Sequence, residues 1–141
     1  MQRKATAVWE GGLKDGKGRL TTDSRVLADT PYSFGTRFEG TPGTNPEELI
    51  GAAHAGCFSM ALSLQLGEAG IRSERIETKC TITFEKLDTG FTITRSHLDV
   101  AVRAPGADRA KFAQAAENAK AGCPVSKVLR AEISMDARLD A

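Results

Sequence analysis

Eighteen consecutive residues, Leu49 to Leu66, are largely apolar, and any fold of this chain must accommodate them. The run sits at the lower edge of the ~17–25 residues that span a bilayer. Its make-up argues against a span: His54, Ser59, Ser63 and Gln65 interrupt it, and Ala and Gly fill it instead of Leu and Phe. A helix apolar nearly all round is expected at the buried centre of a soluble fold. Its start is well marked. Asn45 is a good N-cap, Pro46 suits the first turn, and Glu48 falls at the N3 position of a capping box. Glycines at Gly67 and Gly70 are expected to stop it.

The flanking segments read as strands and one further helix. Lys4 to Glu10 alternates, with Ala5, Ala7 and Trp9 on one side. Arg19 to Thr22 and Arg25 to Ala28 are short strand candidates, and Thr30 to Thr44 reads as irregular. Ile76 to Lys86 and Phe91 to Arg103 form two strands joined by a hairpin at Leu87-Asp88-Thr89-Gly90. Asp108 caps a second helix to about Ala121, Gly122-Cys123-Pro124 breaks it, and Val125 to Arg130 forms a short helix. Ala131 to Leu139 closes the order as a strand, with Ile133, Met135, Ala137 and Leu139 on one face. This order predicts an α+β fold with mainly antiparallel pairing. At 141 residues, one domain over 1–141 is expected.

Charge and cysteine content narrow the function. Lys+Arg number 19 and Asp+Glu 18, so no broad footprint for nucleic acid or an anionic membrane is expected. Three cysteines are too few, and odd in number, for a secreted disulfide scaffold. No apolar stretch follows Met1-Gln2-Arg3-Lys4-Ala5, so the expectation is a cytoplasmic protein with reduced thiols. Its cysteines are then filler or chemistry. Cys80 alternates with Ile82 and Phe84 and reads as core filler. Cys57, inside the apolar helix, also reads first as filler, because burial makes a thiol inert unless a cation stabilises the thiolate. His54, on the same helix face, is one candidate partner, although a hydrogen-bonded buried histidine is its blander reading. Arg37 reads locally as a solvated loop charge. Cys123 follows a glycine stop and precedes Pro124, so it occupies an N-cap position, where helix N-termini lower thiol pKa. The cysteines and the distant histidine lack metal-ligand spacing, so no metal is expected.

Two segments carry a resemblance. Gly43-Thr44-Asn45-Pro46-Glu47-Glu48-Leu49-Ile50-Gly51-Ala52-Ala53-His54-Ala55-Gly56-Cys57-Phe58-Ser59-Met60 resembles the central-helix signature of the OsmC/Ohr family. Ala119-Lys120-Ala121-Gly122-Cys123-Pro124-Val125-Ser126-Lys127-Val128-Leu129 resembles its second-cysteine signature. The Pro31–Gly43 loop and the Cys-Pro-Val-Ser sequence resemble the OsmC branch. The resemblance implies an OsmC-like fold, antiparallel sheets wrapped around a long buried central helix, in an intertwined homodimer with sites at the interface. It implies a thiol peroxidase that reduces organic hydroperoxides to alcohols. Cys57 matches the peroxidatic cysteine, Cys123 the resolving cysteine, Arg37 the arginine that activates the thiolate, and Glu47 the glutamate that holds the arginine. No bound cofactor is implied; an external dithiol or a lipoyl-type reductant restores the thiols.

The chemistry of these residues is consistent with that role. A peroxide O–O bond is cleaved by a thiolate, giving a sulfenic acid that a second thiol converts to a disulfide. Arg37 would supply permanent charge and Glu47 would orient it. Phe38, Phe58 and Met60 are expected to line an apolar pocket. Glu47 and Cys57 are ten residues apart, about 15 Å along one straight helix, beyond a glutamate's reach. Glu47 therefore most simply serves Cys57 from a second, antiparallel copy of the helix, with Gly51, Ala52, Ala55 and Gly56 allowing close approach. Direct disulfide formation needs Cα atoms within about 7 Å, and a greater separation would require a shift at Gly122. Two rival functions share these residues: a non-catalytic protein that binds a hydrophobic ligand, and a stoichiometric redox sensor.

Overall fold

Two three-stranded sheets organise the chain, with orders β1-β2-β3 and β4-β5-β6. They belong to two compact units, Met1–Leu49 and Ile50–Ala141, in a computed structural model that covers residues 1–141.

In the first unit β1 (Ala5–Glu10), β2 (Lys17–Thr22) and β3 (Thr30–Tyr32) pair antiparallel. Gly18 stands opposite both Trp9 and Tyr32, whose rings lie 5.5 Å apart over it. A Cβ on Gly18 would collide with both rings, so glycine is what lets them close across the strand. Arg25 to Ala28, expected as a strand, is a turn. Arg25 (φ 66°) and Asp29 (φ 49°) are left-handed. The Thr22 hydroxyl accepts the Leu27 N–H at 3.1 Å and the Thr21 hydroxyl that of Asp29 at 2.9 Å. These side-chain bonds supplement the backbone bonds of the turn, from the Thr22 N–H to the Leu27 carbonyl at 3.0 Å and from the Arg25 N–H to the Thr22 carbonyl at 2.9 Å. The stretch expected as irregular contains β3 and a five-residue helix, α1 (Phe34–Phe38). Its capping box is built by Ser33 and Thr36 instead of the usual Ser and Glu.

The long helix α2 (Pro46–Glu68) forms over the expected span. Its first turn falls in the first unit and its remainder in the second. The Asn45 side chain accepts the Glu48 N–H at 2.8 Å, as an N-cap should, but the Glu48 carboxylate turns to the Thr44 hydroxyl at 2.9 Å.

In the second unit β4 (Arg75–Leu87) and β5 (Gly90–Arg103) form the expected hairpin, with Gly90 at φ 112° and a bulge at Thr83/Phe84. Helix α3 (Arg109–Gly122), capped by Asp108, and helix α4 (Pro124–Val128) follow. Strand β6 (Glu132–Asp140) then pairs with β5 in parallel. Pairing is thus mainly antiparallel, as expected, and this one parallel pair arises because α3 and α4 form a crossover that returns the chain to the start of β5. Phe58, Leu62 and Leu66 of α2 pack with Leu98, Val100 and Val102 of β5 and Phe112, Ala115 and Ala119 of α3. The buried row on α2, His54, Phe58, Leu62 and Leu66, has i, i+4 spacing. The row Ala52, Gly56, Met60 and Leu64 is exposed, so burial holds for one face of the helix only.

Candidate active site

The residues expected to carry chemistry fall into two pairs, one in each unit. In the first unit Arg37, on the last turn of α1, meets Glu47, on the first turn of α2. Arg37 Nε donates to Oε1 and Oε2 at 3.1 and 3.2 Å, and Nη2 donates to Oε1 at 2.6 Å. Such fork-like, charge-assisted contacts fix the guanidinium plane. The Glu47 side chain is only 11% exposed, and it sits where helix N–H groups also favour a negative charge. Asn45 ties the pair together: its Nδ2 donates to the Thr36 carbonyl at 3.0 Å while its Oδ1 caps α2. The partner of Arg37 is therefore Glu47, not Glu48. Arg37 is no solvated loop charge, as its local sequence suggested. It borders an open groove of about 270 Å³ lined by Trp9, Leu13, Tyr32, Phe34 and Phe38.

In the second unit Cys57 Sγ and Cys123 Sγ lie 2.9 Å apart across 66 residues of sequence. A disulfide of about 2.05 Å needs roughly 0.9 Å of further approach of the two sulfurs. Cys123 is fully buried at the junction of α3 and α4, where it is the C-cap of one and the N-cap of the other. Burial pushes the Cys57 thiol above its ordinary value and the Cys123 neighbour adds to this, against a smaller opposing effect of the Val125 N–H. Burial also acts to raise Cys123. It is outweighed by hydrogen bonding from Cys57, from the Ser126 N–H and hydroxyl, and from the Val125 N–H, so Cys123 is held below its ordinary value. Cys123 itself makes no side-chain cap bond to α4.

Beside the thiols, His54 is buried and hydrogen-bonded at both ring nitrogens: Nδ1 to Ser96 Oγ at 2.6 Å and Nε2 to Ser126 Oγ at 2.8 Å. Burial lowers its pKa and keeps the ring neutral. Cys80 is half-buried, and its sulfur contacts Ser96 Oγ at 3.1 Å. Ser96 and Ser126 went unnoticed in the sequence. The one available signal was period two, which puts Ser96 on the inward face of β5 with Leu98 and Val100. Phe58 is completely buried in the core, and Met60 is exposed. Of the expected apolar lining, Phe38 borders the groove beside Arg37. Away from the thiols, His97, Asp99 and Asp136 bring ligand-type atoms within 4.8 Å of one another on the outward face of the second sheet.

Comparison with known proteins places these pairs in context. The family described as OsmC-like protein matches residues 38–138, a span that holds Glu47, Cys57 and Cys123. The chain is 55% identical over 139 residues to the protein named peroxiredoxin OsmC of Escherichia coli, covering 99% of this chain and 97% of that one. It is 31% identical over 123 residues to organic hydroperoxide resistance protein OhrB of Bacillus subtilis, covering 86% and 88%. The crystal structure of that OhrB superposes with a TM-score of 0.68 at 28% identity, over 97% of this chain and 98% of the other. An OsmC-like protein of Vibrio cholerae superposes with a TM-score of 0.77 over 98% and 99% of the chains; at 13% identity it speaks for the fold alone.

Proposed function

Because the chain belongs to the OsmC-like family, on the side of OsmC with Ohr proteins as more distant relatives, we propose that it is a thiol-dependent peroxidase that reduces organic hydroperoxides to alcohols. The observation that carries this reading is the 2.9 Å contact between Cys57 and Cys123. The Cys57 thiolate attacks the peroxide, the O–O bond breaks, and the departing alkoxide takes a proton and leaves as the alcohol. Cys57 becomes a sulfenic acid. Cys123 attacks that sulfur, the S–O bond breaks, and water leaves. An external dithiol, or a lipoyl-type reductant, then reduces the disulfide and is itself oxidised to a disulfide. Closing the disulfide protects Cys57 from irreversible oxidation.

Cys57 needs a cation for this, since burial and Cys123 both raise its pKa. Arg37, held in orientation by Glu47, is our candidate. It would stabilise both the thiolate and the alkoxide. The ten-residue spacing along α2 leads us to assign the Arg37–Glu47 pair of one copy to Cys57 of another. The exposed row of Ala52, Gly56, Met60 and Leu64 offers a small-residue, apolar face for such a partner helix. On this reading both units belong to one OsmC-like domain, a view supported by a family match that runs across their boundary. The apolar groove beside Arg37 would take the organic tail of the substrate.

The test is steady-state consumption of cumene hydroperoxide and hydrogen peroxide with a dithiol, for wild type and Cys57→Ser. Multiple turnover of the organic peroxide, lost in the variant, is expected. A single stoichiometric oxidation of Cys57 would replace the enzyme by a sensor, and no oxidation would make it a ligand-binding protein.

A further inference from the structure

The peroxidase reading leaves a line of polar side chains through the core of the second unit without a task. Cys80 Sγ lies 3.1 Å from Ser96 Oγ, Ser96 Oγ 2.6 Å from His54 Nδ1, and His54 Nε2 2.8 Å from Ser126 Oγ. The line joins β4, β5, α2 and α4. His54 and Ser96 are fully buried, and a buried polar network is costly unless every member is satisfied. Here no buried side-chain N or O atom lacks a partner. The last member, Ser126, stands three residues after Cys123, in the turn that Cys123 opens. No residue of α4 is fully buried, and Val125 alone of its side chains packs against the core, so the Ser126 contact adds a second, polar anchor to that turn.

We propose that the Ser96–His54–Ser126 line is a positioning device for Cys123: it tethers α4 to α2 and aims the Ser126 hydroxyl at the Cys123 sulfur for its attack on the Cys57 sulfenic acid. This inference rests on the two-cysteine reading above. The ring of His54 is neutral, so one nitrogen donates and the other accepts. Ser96 donates to Nδ1, Nε2–H donates to Ser126 Oγ, and the Ser126 hydrogen remains for Cys123. The Cys80 thiol donates to Ser96 at the far end. Every donor then points the same way, towards the sulfur that must carry negative charge. The same Ser126 hydroxyl and N–H are among the groups that lower the Cys123 pKa. The titratable groups facing Cys123 are Cys57 directly and, through Ser126, His54, both from α2; Cys80 of β4 ends the line. In the step served, the Cys123–Cys57 S–S bond forms and the Cys57 S–O bond breaks. The leaving hydroxide and the proton given up by Cys123 become water, and the hydroperoxide is the oxidant.

Two readouts test this. In a Cys57→Ser background, Ser126→Ala and His54→Gln are expected to raise the pH of half-maximal alkylation of Cys123, and Ser126→Thr, which keeps the hydroxyl, to restore it. With Cys57 present, a single equivalent of cumene hydroperoxide should leave a sulfenic acid, trapped with a dimedone probe, that lives about tenfold longer in Ser126→Ala than in wild type. Unchanged alkylation and unchanged sulfenic lifetime in Ser126→Ala would overturn the proposal, as would a defect in His54→Gln with none in Ser126→Ala. Should His54→Gln fail to fold, Ser126→Ala and Ser126→Thr decide alone. A wild type that forms no Cys57–Cys123 disulfide would sink the two-cysteine reading, while the alkylation profile still judges the tether.

Discussion

Arg37 and Glu47 illustrate how much a single residue's role depends on what the fold brings to it. Locally, Arg37 lies in Gly35-Thr36-Arg37-Phe38 and has no reason to be ordered. Its order comes from Glu47, whose carboxylate receives both Nε and Nη2. A lysine keeps the charge but loses the fork. Arg37→Lys is accordingly expected to lower kcat/KM for cumene hydroperoxide by about 10²-fold, the scale of one lost transition-state donor; near-wild-type turnover would remove Arg37 from the site. His54 offers a residue-scale prediction about stability. Its folded pKa is lowered by burial, while the unfolded chain titrates near the ordinary value of about 6.5. Below that pH the unfolded state binds a proton that the folded state refuses, so its contribution is present above about 6.5 and is lost as pH falls towards the folded pKa. Urea midpoints from pH 7.5 to pH 5 should therefore fall less steeply in His54→Gln than in wild type. The buried character of His54 was legible from local pattern, whereas Cys57 read locally as filler and was singled out through the family resemblance. Ser96 and Ser126 were not legible, because they lie 42 and 72 residues from the ring they bind.

At the scale of elements, the signals that could be read were those written within one segment. Asn45-Pro46 fixed the start of α2, and Asp108, which accepts the Lys111 N–H at 2.9 Å, fixed that of α3. The hairpin glycine at Gly90 lies where its sequence put it. Helix α1 was missed because its five residues include Gly35 and because Thr36, not Glu, completes its box. The pairing of β6 was missed because alternation tells which face of a strand is buried, not which neighbour it takes or in which direction. Asn45 does more than cap, since it also holds the Thr36 carbonyl. Asn45→Ala should cost about 1–2 kcal/mol in urea unfolding, at the upper part of the cap range, and should lower turnover by loosening α1 beside Arg37. Asp108→Ala, which loses a cap alone, should cost about 1 kcal/mol and leave turnover intact. Gly18→Val forces the Trp9 and Tyr32 rings apart. A loss of about 1–3 kcal/mol is expected, and a shift in Trp9 fluorescence should report it.

For the whole molecule, the open question raised by the fold is what covers the second face of α2. Met60 is 78% exposed and Leu64 60%, on a helix whose opposite row is the core. If a second copy covers them, sedimentation should give a dimer, and Met60→Glu should yield monomers without peroxidase turnover. A monomeric wild type that turns over at full rate would end the two-copy arrangement. The expectation that the central helix is buried throughout thus holds for one face, and a single sequence does not say what lies against the other. The parallel pairing of β6 bears on time as well as on space. Cys123 lies in the crossover between β5 and β6, and Arg95 to Arg103 must receive the last strand before that crossover is closed. Contacts so distant in sequence form slowly. During synthesis Cys57 is made long before its partner, which is fully buried in the finished fold. The rate at which Cys123 disappears from reach of an alkylating reagent is expected to time the closing of the fold around it, a clock that the protein carries without any added label.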